Sequence, residues 1–242
     1  MEQFEVTSRN KVKRAPDRGC YEKSTVYEIL DAGFLCHISF IVDGHPMIIP
    51  TFYGREGNQL YVHGATTSRM IKKLEEGVPM TLSVCHVDGL VLARSAFHHS
   101  MNYRSVVVFG TARVVAEEDK NHALYVMSEH LIEGRWKEVR PPNDKELKGT
   151  TVLAIEMEQA SAKIRTGPPK DDKEDYETDI WAGVVPIGMG VGTPINDDLL
   201  KPHIKTPESV RNYLAESDQG FRLVDYFRND NGHRLSNAAW NK

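Results

Sequence analysis

Cysteine is scarce in this chain. Cys20, Cys36 and Cys85 are the only three among 242 residues, an odd number at wide spacing with no CxxC pair. That argues against a disulfide framework and a cysteine-built structural zinc, and fits reduced thiols in a cytoplasmic protein. Long apolar runs are also missing. None approaches the roughly 18 residues that a membrane-spanning helix needs, and the mean hydropathy is −0.44. Met1 to Arg14 is polar and basic and does not read as a secretory signal. There is no excess of positive charge either. Thirty Lys and Arg stand against thirty-four Asp and Glu, a net charge of −4, with no block of five or more basic residues. A nucleic-acid footprint is therefore not expected.

Catalytic signatures are equally thin. Neither GxGxxG nor GxxxxGK[ST] occurs, which leaves both a Rossmann fingerprint and a P-loop unsupported. The ten histidines are scattered; only His98 and His99 adjoin, and HExxH and HxH are absent, so no protein-built metal site is expected. No nucleophile elbow, Cys/His spacing or paired-carboxylate pattern is evident. If the chain is an enzyme, a bound cofactor carries the reaction.

What is present is a texture of hairpins. Residues 1–22 read as a charged arm. Ser24 to Ala32 predicts a short helix, with Thr25 and Glu28 at capping-box spacing and Gly33 at its end. Phe34 to Val42 and His45 to Tyr53 predict two strands around Asp43-Gly44, a strong hairpin signal, and Pro46 and Pro50 suggest an edge. Gln59 to His63 predicts a strand and Thr67 to Glu76 a helix. Met80 to Val87 and Leu90 to Ser95 predict two strands turning at Asp88-Gly89. Tyr103 to Val115 predicts another strand. Glu117 to Ile132 predicts the best helix, with Ala123, Leu124, Met127 and Leu131 on one apolar face. A basic, proline-containing loop from Trp136 to Asn143 leads to strands at Thr151 to Glu156 and Ser161 to Arg165. Asp171 to Asp179 reads as a solvated charge run, with Trp181 and Val184-Val185-Pro186-Ile187 pinning that segment back. A last helix is predicted over Pro207 to Ala215, with Thr206 as its N-cap. The pattern is mainly β with α, a small barrel with helices outside rather than an alternating βαβ sheet.

Two stretches carry most of the chemistry. In Leu60-Tyr61-Val62-His63-Gly64-Ala65-Thr66-Thr67-Ser68-Arg69-Met70-Ile71-Lys72-Lys73, a strand ends in a small-residue turn before hydroxyls and basic residues. Backbone N–H groups, Ser/Thr hydroxyls and the Arg69 fork suit a phosphate. Ordinary helix capping with a solvated basic face fits the same spacing, and spacing alone does not choose between them. In the second stretch, Arg94 to Val106, Asn102 and Ser105 offer hydrogen bonds, Tyr103 a ring and Arg104 a cation. Those groups suit a flat heteroaromatic cofactor with an anionic tail, and they equally suit a polar loop facing water.

Taken in order, these stretches resemble the FMN-binding split-barrel superfamily, in its pyridoxamine 5′-phosphate oxidase-like branch that includes nitroimidazole-resistance (nitroreductase) proteins. The likeness rests on Leu30 to Tyr53, on Leu60 to Ala65 with Ser68-Arg69, on Asn102 to Val106 with Gly110, and on Arg165-Thr166-Gly167-Pro168-Pro169 followed by Trp181 to Pro186. It implies a six-stranded antiparallel split β-barrel with flanking helices over residues 23–187, between the arm at 1–22 and a C-terminal extension at 188–242. It also implies a homodimer with FMN at the interface. By that likeness His63, Gly64, Ser68 and Arg69 hold the FMN phosphate with Lys72 as a helper. Pro50 and Thr51 contact the isoalloxazine, and Asn102, Tyr103, Arg104 and Ser105 complete the pocket. Met70 stands where a second basic residue is expected, and the pyridoxine-recognition pattern is not evident. The implied function is an oxidoreductase passing electrons from NAD(P)H through FMN to a small nitroaromatic or quinone-like acceptor. A non-catalytic flavin sensor or carrier is the alternative, as is a haem-binding relative with His63, His98 or His99 as the axial ligand.

Overall fold

Alternation of apolar and polar residues dominates the chain, and strands dominate the structure. The computed structural model describes residues 2–220. In chain order the elements are β1 (Gly19–Cys20), α1 (Lys23–Asp31), β2 (Leu35–Val42), β3 (His45–Phe52), β4 (Gly54–Glu56), β5 (Gln59–Ala65), α2 (Arg69–Leu74) and β6 (Pro79–Leu92). There follow β7 (Ser100–Val114), α3 (Lys120–Leu131), α4 (Asp144–Gly149), β8 (Thr150–Glu156), β9 (Gln159–Arg165), β10 (Gly183–Pro186) and α5 (Glu208–Gly220). The strands pair in the order β3-β2-β6-β7-β8-β5-β4, with β1 on β9, β9 on β7 and β10 on β6. The sheet is antiparallel and does not close, as a split barrel requires. No helix among the described residues is long and apolar enough to cross a membrane.

The chain divides into two compact units. Among the described residues, the first comprises 2–85, 105–163 and 207–210; the second comprises 86–104, 164–206 and 211–220.

In the first unit, β2 buries Cys36, Ile38 and Phe40 while Leu35 and Ile41 stay exposed, the two-residue period of a half-buried strand. Asp43 and Gly44 both have positive φ, 50° and 78°, so the predicted hairpin turn forms with the backbone that this residue pair favours. β3 lies at the end of the sheet, as its prolines suggested, and pairs only with β2 among the described residues. Ile29, Leu30, Leu60, Ile71, Leu74, Leu82, Val106, Val108, Leu153 and Ile155 make the core. Gly54 lets α3 approach closely: a Cβ there would stand 2.6 Å from the Met127 Cα.

Local chemistry explains where this unit departs from expectation. α1 begins at Lys23 with no side-chain cap on Glu22, so Thr25 and Glu28 do not form a capping box. The arm supplies the partner instead: the Lys23 N–H donates to the Glu2 carbonyl, and Gln3 bridges Glu22. The arm is thus fixed, with Phe4 buried and the Asn10 amide donating to the Glu5 and Ala160 carbonyls at 2.8 and 3.1 Å. α3 starts three residues later than predicted, because the N–H groups of Asp119 and Lys120 close a tighter turn onto Ala116 and Glu117. It buries Ala123, Val126 and Met127, whereas Leu131 is 40% exposed. α4 was not anticipated. Asn143 and Glu146 cap it reciprocally, side chain to backbone in both directions.

In the second unit, β6 runs straight through Asp88-Gly89, where a hairpin was predicted. Neither residue adopts a positive φ. Asp88 receives the Arg104 guanidinium, and Gly89 faces Pro186 of β10, where a Cβ would meet the Val184 Cγ1 at 2.9 Å. The glycine serves close packing rather than a turn. Val184 is buried as the pinning residue, whereas Trp181 remains 66% exposed and covers Gly183. Residues 188–206 hold no helix or strand. α5 runs past the predicted Ala215 to Gly220. In the first unit's short share of α5, Ser209 donates from its N–H and its hydroxyl to Glu138. The remainder of the predicted extension, 221–242, lies outside the described residues.

Candidate functional site

Strand β5 and helix α2 meet through a tight turn, and glycine makes the approach close. A Cβ on Gly64 would lie 3.0 Å from the Ile71 Cγ1, and Ile71 is fully buried. The turn is closed by the Ser68 N–H donating to the Ala65 carbonyl at 2.8 Å, while the Thr66 N–H donates to the Gly149 carbonyl. Ser68 occupies the N-cap position in extended conformation, yet its hydroxyl makes no capping bond. Arg69 is exposed, and among the described residues no carboxylate pairs with it. Lys72 differs, because its ammonium lies 3.0 Å from the Glu75 carboxylate. Adjacent in sequence, the Ser68 hydroxyl and the Arg69 guanidinium make no hydrogen bond or ion pair among the described residues, and they are donors of the kind that a phosphate needs.

His63 projects from β5, five residues before Ser68. Phe52 lies edge-on to its ring at a centroid distance of 5.1 Å. Burial pushes the imidazole pKa below its ordinary value. Its Nδ1 is buried and has no hydrogen-bond partner among the described residues. A buried unpaired polar nitrogen has a free-energy cost, of the order of 1–3 kcal/mol, which a ligand can relieve. Pro50 is exposed on edge strand β3 and pairs with His37, while Thr51 is half-buried opposite Cys36. The Ser105 hydroxyl donates to the Lys163 carbonyl at 3.3 Å. All of these residues belong to the first unit.

Asn102, Tyr103 and Arg104 belong to the second unit, where two of them are engaged internally. Asn102 is buried; its amide donates to the Gly167 carbonyl at 3.2 Å, and its Oδ1 accepts from Arg165. Arg165 also donates to the Gly167 and Pro168 carbonyls, so this pair fixes the Gly167-Pro168 turn. Arg104 is 8% exposed and forks onto Asp88, with N–O distances of 3.0 and 2.8 Å. Tyr103 is half-buried.

Sequence reasoning missed two anchors here. Asp171, read as part of a solvated run, has a fully buried side chain. Its carboxylate accepts from the Arg94 and Ser95 N–H groups and from the Arg94 guanidinium. Burial pushes its pKa up, but those donors outweigh burial and hold the carboxyl below its usual range. Arg94 in turn stacks on Tyr176 at 4.8 Å. Asp88, where the sequence predicts a turn, is the other anchor. Of the three histidines considered for haem, His99 accepts the Ala93 N–H on Nδ1 and His98 lies 3.2 Å from Asp172. His63 keeps a buried nitrogen without a partner among the described residues.

A search of curated proteins finds no match. Among solved structures, the flavocytochrome Anf3 of Azotobacter vinelandii is 40% identical over 85% of this chain and 96% of its own, with a TM-score of 0.81. A FAD and haem binding protein of Mycobacterium smegmatis is 36% identical over 81% of this chain and 96% of its own, at 0.79. A 5-nitroimidazole antibiotic resistance protein of Bacteroides thetaiotaomicron, so described provisionally, shares the fold at 20% identity and a TM-score of 0.52. That match covers 60% of this chain and 86% of the other. The family profile described as pyridoxamine 5′-phosphate oxidase matches residues 22–164. With more than half its length inside that profile, this chain belongs to the pyridoxamine 5′-phosphate oxidase family.

Proposed function

We propose that this protein is a flavin-dependent oxidoreductase that also binds haem, oxidising NAD(P)H and reducing a small nitroaromatic or quinone-like acceptor. The observation that carries this reading is its likeness, over more than four-fifths of its length, to two proteins described as a flavocytochrome and as a FAD and haem binding protein. The first unit has groups that suit both cofactors. Ser68 and Arg69 would hold the phosphate that FMN and FAD share, with Gly64 keeping α2 close and Lys72 contributing at the margin. Pro50, Thr51 and Ser105 would line the flavin ring. His63, held neutral by burial and with an unpartnered nitrogen, has the lone pair that a haem iron accepts.

A flavin supplies hydride acceptance and one-electron release, and a haem supplies one-electron exchange. The chain's own task is then to bind, orient and shield those groups. We further propose a cytoplasmic homodimer as the working form.

The test is the visible spectrum of freshly purified protein, before and after NADH or NADPH, with released flavin identified by chromatography and haem quantified as its pyridine complex. Flavin and haem bands together, the former bleached by a reduced nicotinamide and restored by an acceptor, are expected. Flavin that no nicotinamide reduces would make the protein a carrier instead. Preparations that bind neither group on reconstitution would overturn the proposal.

A further inference from the structure

Among the described residues, one group of side chains outside the β5–α2 region has the composition of a metal site. We propose that the second unit binds one divalent first-row transition ion through His98, Asp172 and Asp175. One ligand atom from each of these residues lies within 4.8 Å of the other two, and the His98 Nε2 stands 3.2 Å from an Asp172 oxygen. Ions of this class bind nitrogen and oxygen at roughly 2.0–2.2 Å, so bound donors sit roughly 3–3.5 Å apart. Side-chain rotations, at exposed Asp172 and half-buried His98 and Asp175, would close the remaining gap.

The backbone already holds the ligands in place. Asp171 is clamped by the N–H groups of Arg94 and Ser95, which fixes Asp172 beside the short turn Ala96–His98. Asp172 and Asp175 then fall on one face of a single 3-10 turn, where the Asp175 N–H donates to the Asp172 carbonyl at 3.1 Å. The Thr178 hydroxyl donates to the Asp175 carbonyl and secures the far end. The spacing 98, 172, 175 has no sequence signature, because two distant segments supply it.

Charge supports a cation independently of position. Two carboxylates converge there, and among the described residues neither has a lysine or arginine partner. The imidazole also selects the ion: calcium and magnesium prefer all-oxygen sites, whereas one nitrogen with two carboxylates suits manganese, iron or zinc. Three protein ligands leave the remaining positions to water. This proposal does not rest on the flavin and haem reading.

The probe is Mn2+ added to chelator-treated full-length protein, with bound ion read by loss of the free-ion electron paramagnetic resonance signal. Saturation at one Mn2+ per chain, displaced by Zn2+, is expected. Asp175→Asn and His98→Ala should each weaken binding at least about tenfold, with unchanged circular dichroism to show that both variants fold. Asp179→Asn, on the same acidic run, should bind as the parent does. Non-saturating binding, or binding unaltered by both ligand substitutions, would overturn the site.

Discussion

Removing the Arg69 guanidinium offers a sharp test of where the flavin phosphate sits. Arg69 is exposed and free of carboxylate partners among the described residues, so a bound phosphate would gain its full charge-assisted bond. Such a bond contributes about 1.5–3 kcal/mol, which corresponds to about a 10- to 150-fold increase in Kd for Arg69→Ala. Lys72 provides the internal comparison. Its ammonium is already 3.0 Å from Glu75 and its side chain is 59% exposed. An exposed, already paired cation is worth at most about 1 kcal/mol to a phosphate, or a factor of about five. Titrating cofactor-stripped protein with FMN and following flavin fluorescence measures both variants directly. Riboflavin, which lacks the phosphate, should bind parent and Arg69→Ala alike. The Arg69 effect should also shrink with added salt, because the contact is screened. An Arg69→Ala Kd within about twofold of the parent would refute the placement. So would an equal loss for riboflavin.

Other expectations follow from packing and burial. Gly54→Ala forces a Cβ to 2.6 Å from the Met127 Cα, which only a backbone shift relieves. Overpacking of this kind costs about 1–3 kcal/mol, a fall in Tm of roughly 2–12 °C, whereas Gly149→Ala meets nothing within 4 Å and should leave Tm nearly unchanged. Cys36 is fully buried and its thiol is pushed up to about 12, so at pH 8 a maleimide should label exposed Cys85 and leave Cys36 until the protein unfolds. Mass mapping of the labelled peptides checks this. His63 has a depressed pKa in the folded state, so the unfolded chain takes up its proton first as pH falls. The stability due to neutral His63 is complete above about pH 6.5 and is lost as pH drops through the lower folded value. Urea midpoints of cofactor-stripped protein at pH 7.5 and 5 should therefore differ more for the parent than for His63→Phe; equal differences would sink the assignment.

The elements most legible in the sequence were those governed by neighbours along the chain. Asp43-Gly44 forms its turn because the residues that tolerate positive φ are the residues that make it. Pro46 and Pro50 marked an edge because a missing donor is a local property. Asp88-Gly89 carries the same two letters and does the opposite, because distant partners decide its role: Arg104 takes the aspartate, and β10 packs on the glycine. Thr25 and Glu28 failed as a cap for the same reason, once residues 2 and 3 supplied the backbone partners from outside the window. Asn143 and Glu146 were an overlooked local signal, readable as N-x-x-E. In the site, the turn around Ser68-Arg69 lies where the motif put it. The burial of Asp171 and the convergence of His98 with Asp172 depend on segments some seventy residues apart, so no short motif could contain them.

The edge strand β3 has a consequence for how this protein behaves in crowded solution. Pro46 and Pro50 are four residues apart and pair with Ile41 and His37, so they share one phase of the strand. On that phase the N–H groups point away from β2, since a proline has none to give the ladder. The outer rim of β3 therefore offers the Ile48 amide between two pyrrolidine rings where an unbroken row of donors would otherwise run. Ile48 itself is 66% exposed, a sticky side chain on a rim that cannot zip onto another strand. Growth of the sheet from molecule to molecule is blocked at the backbone, and the hairpin can present apolar side chains to solvent without seeding fibrils.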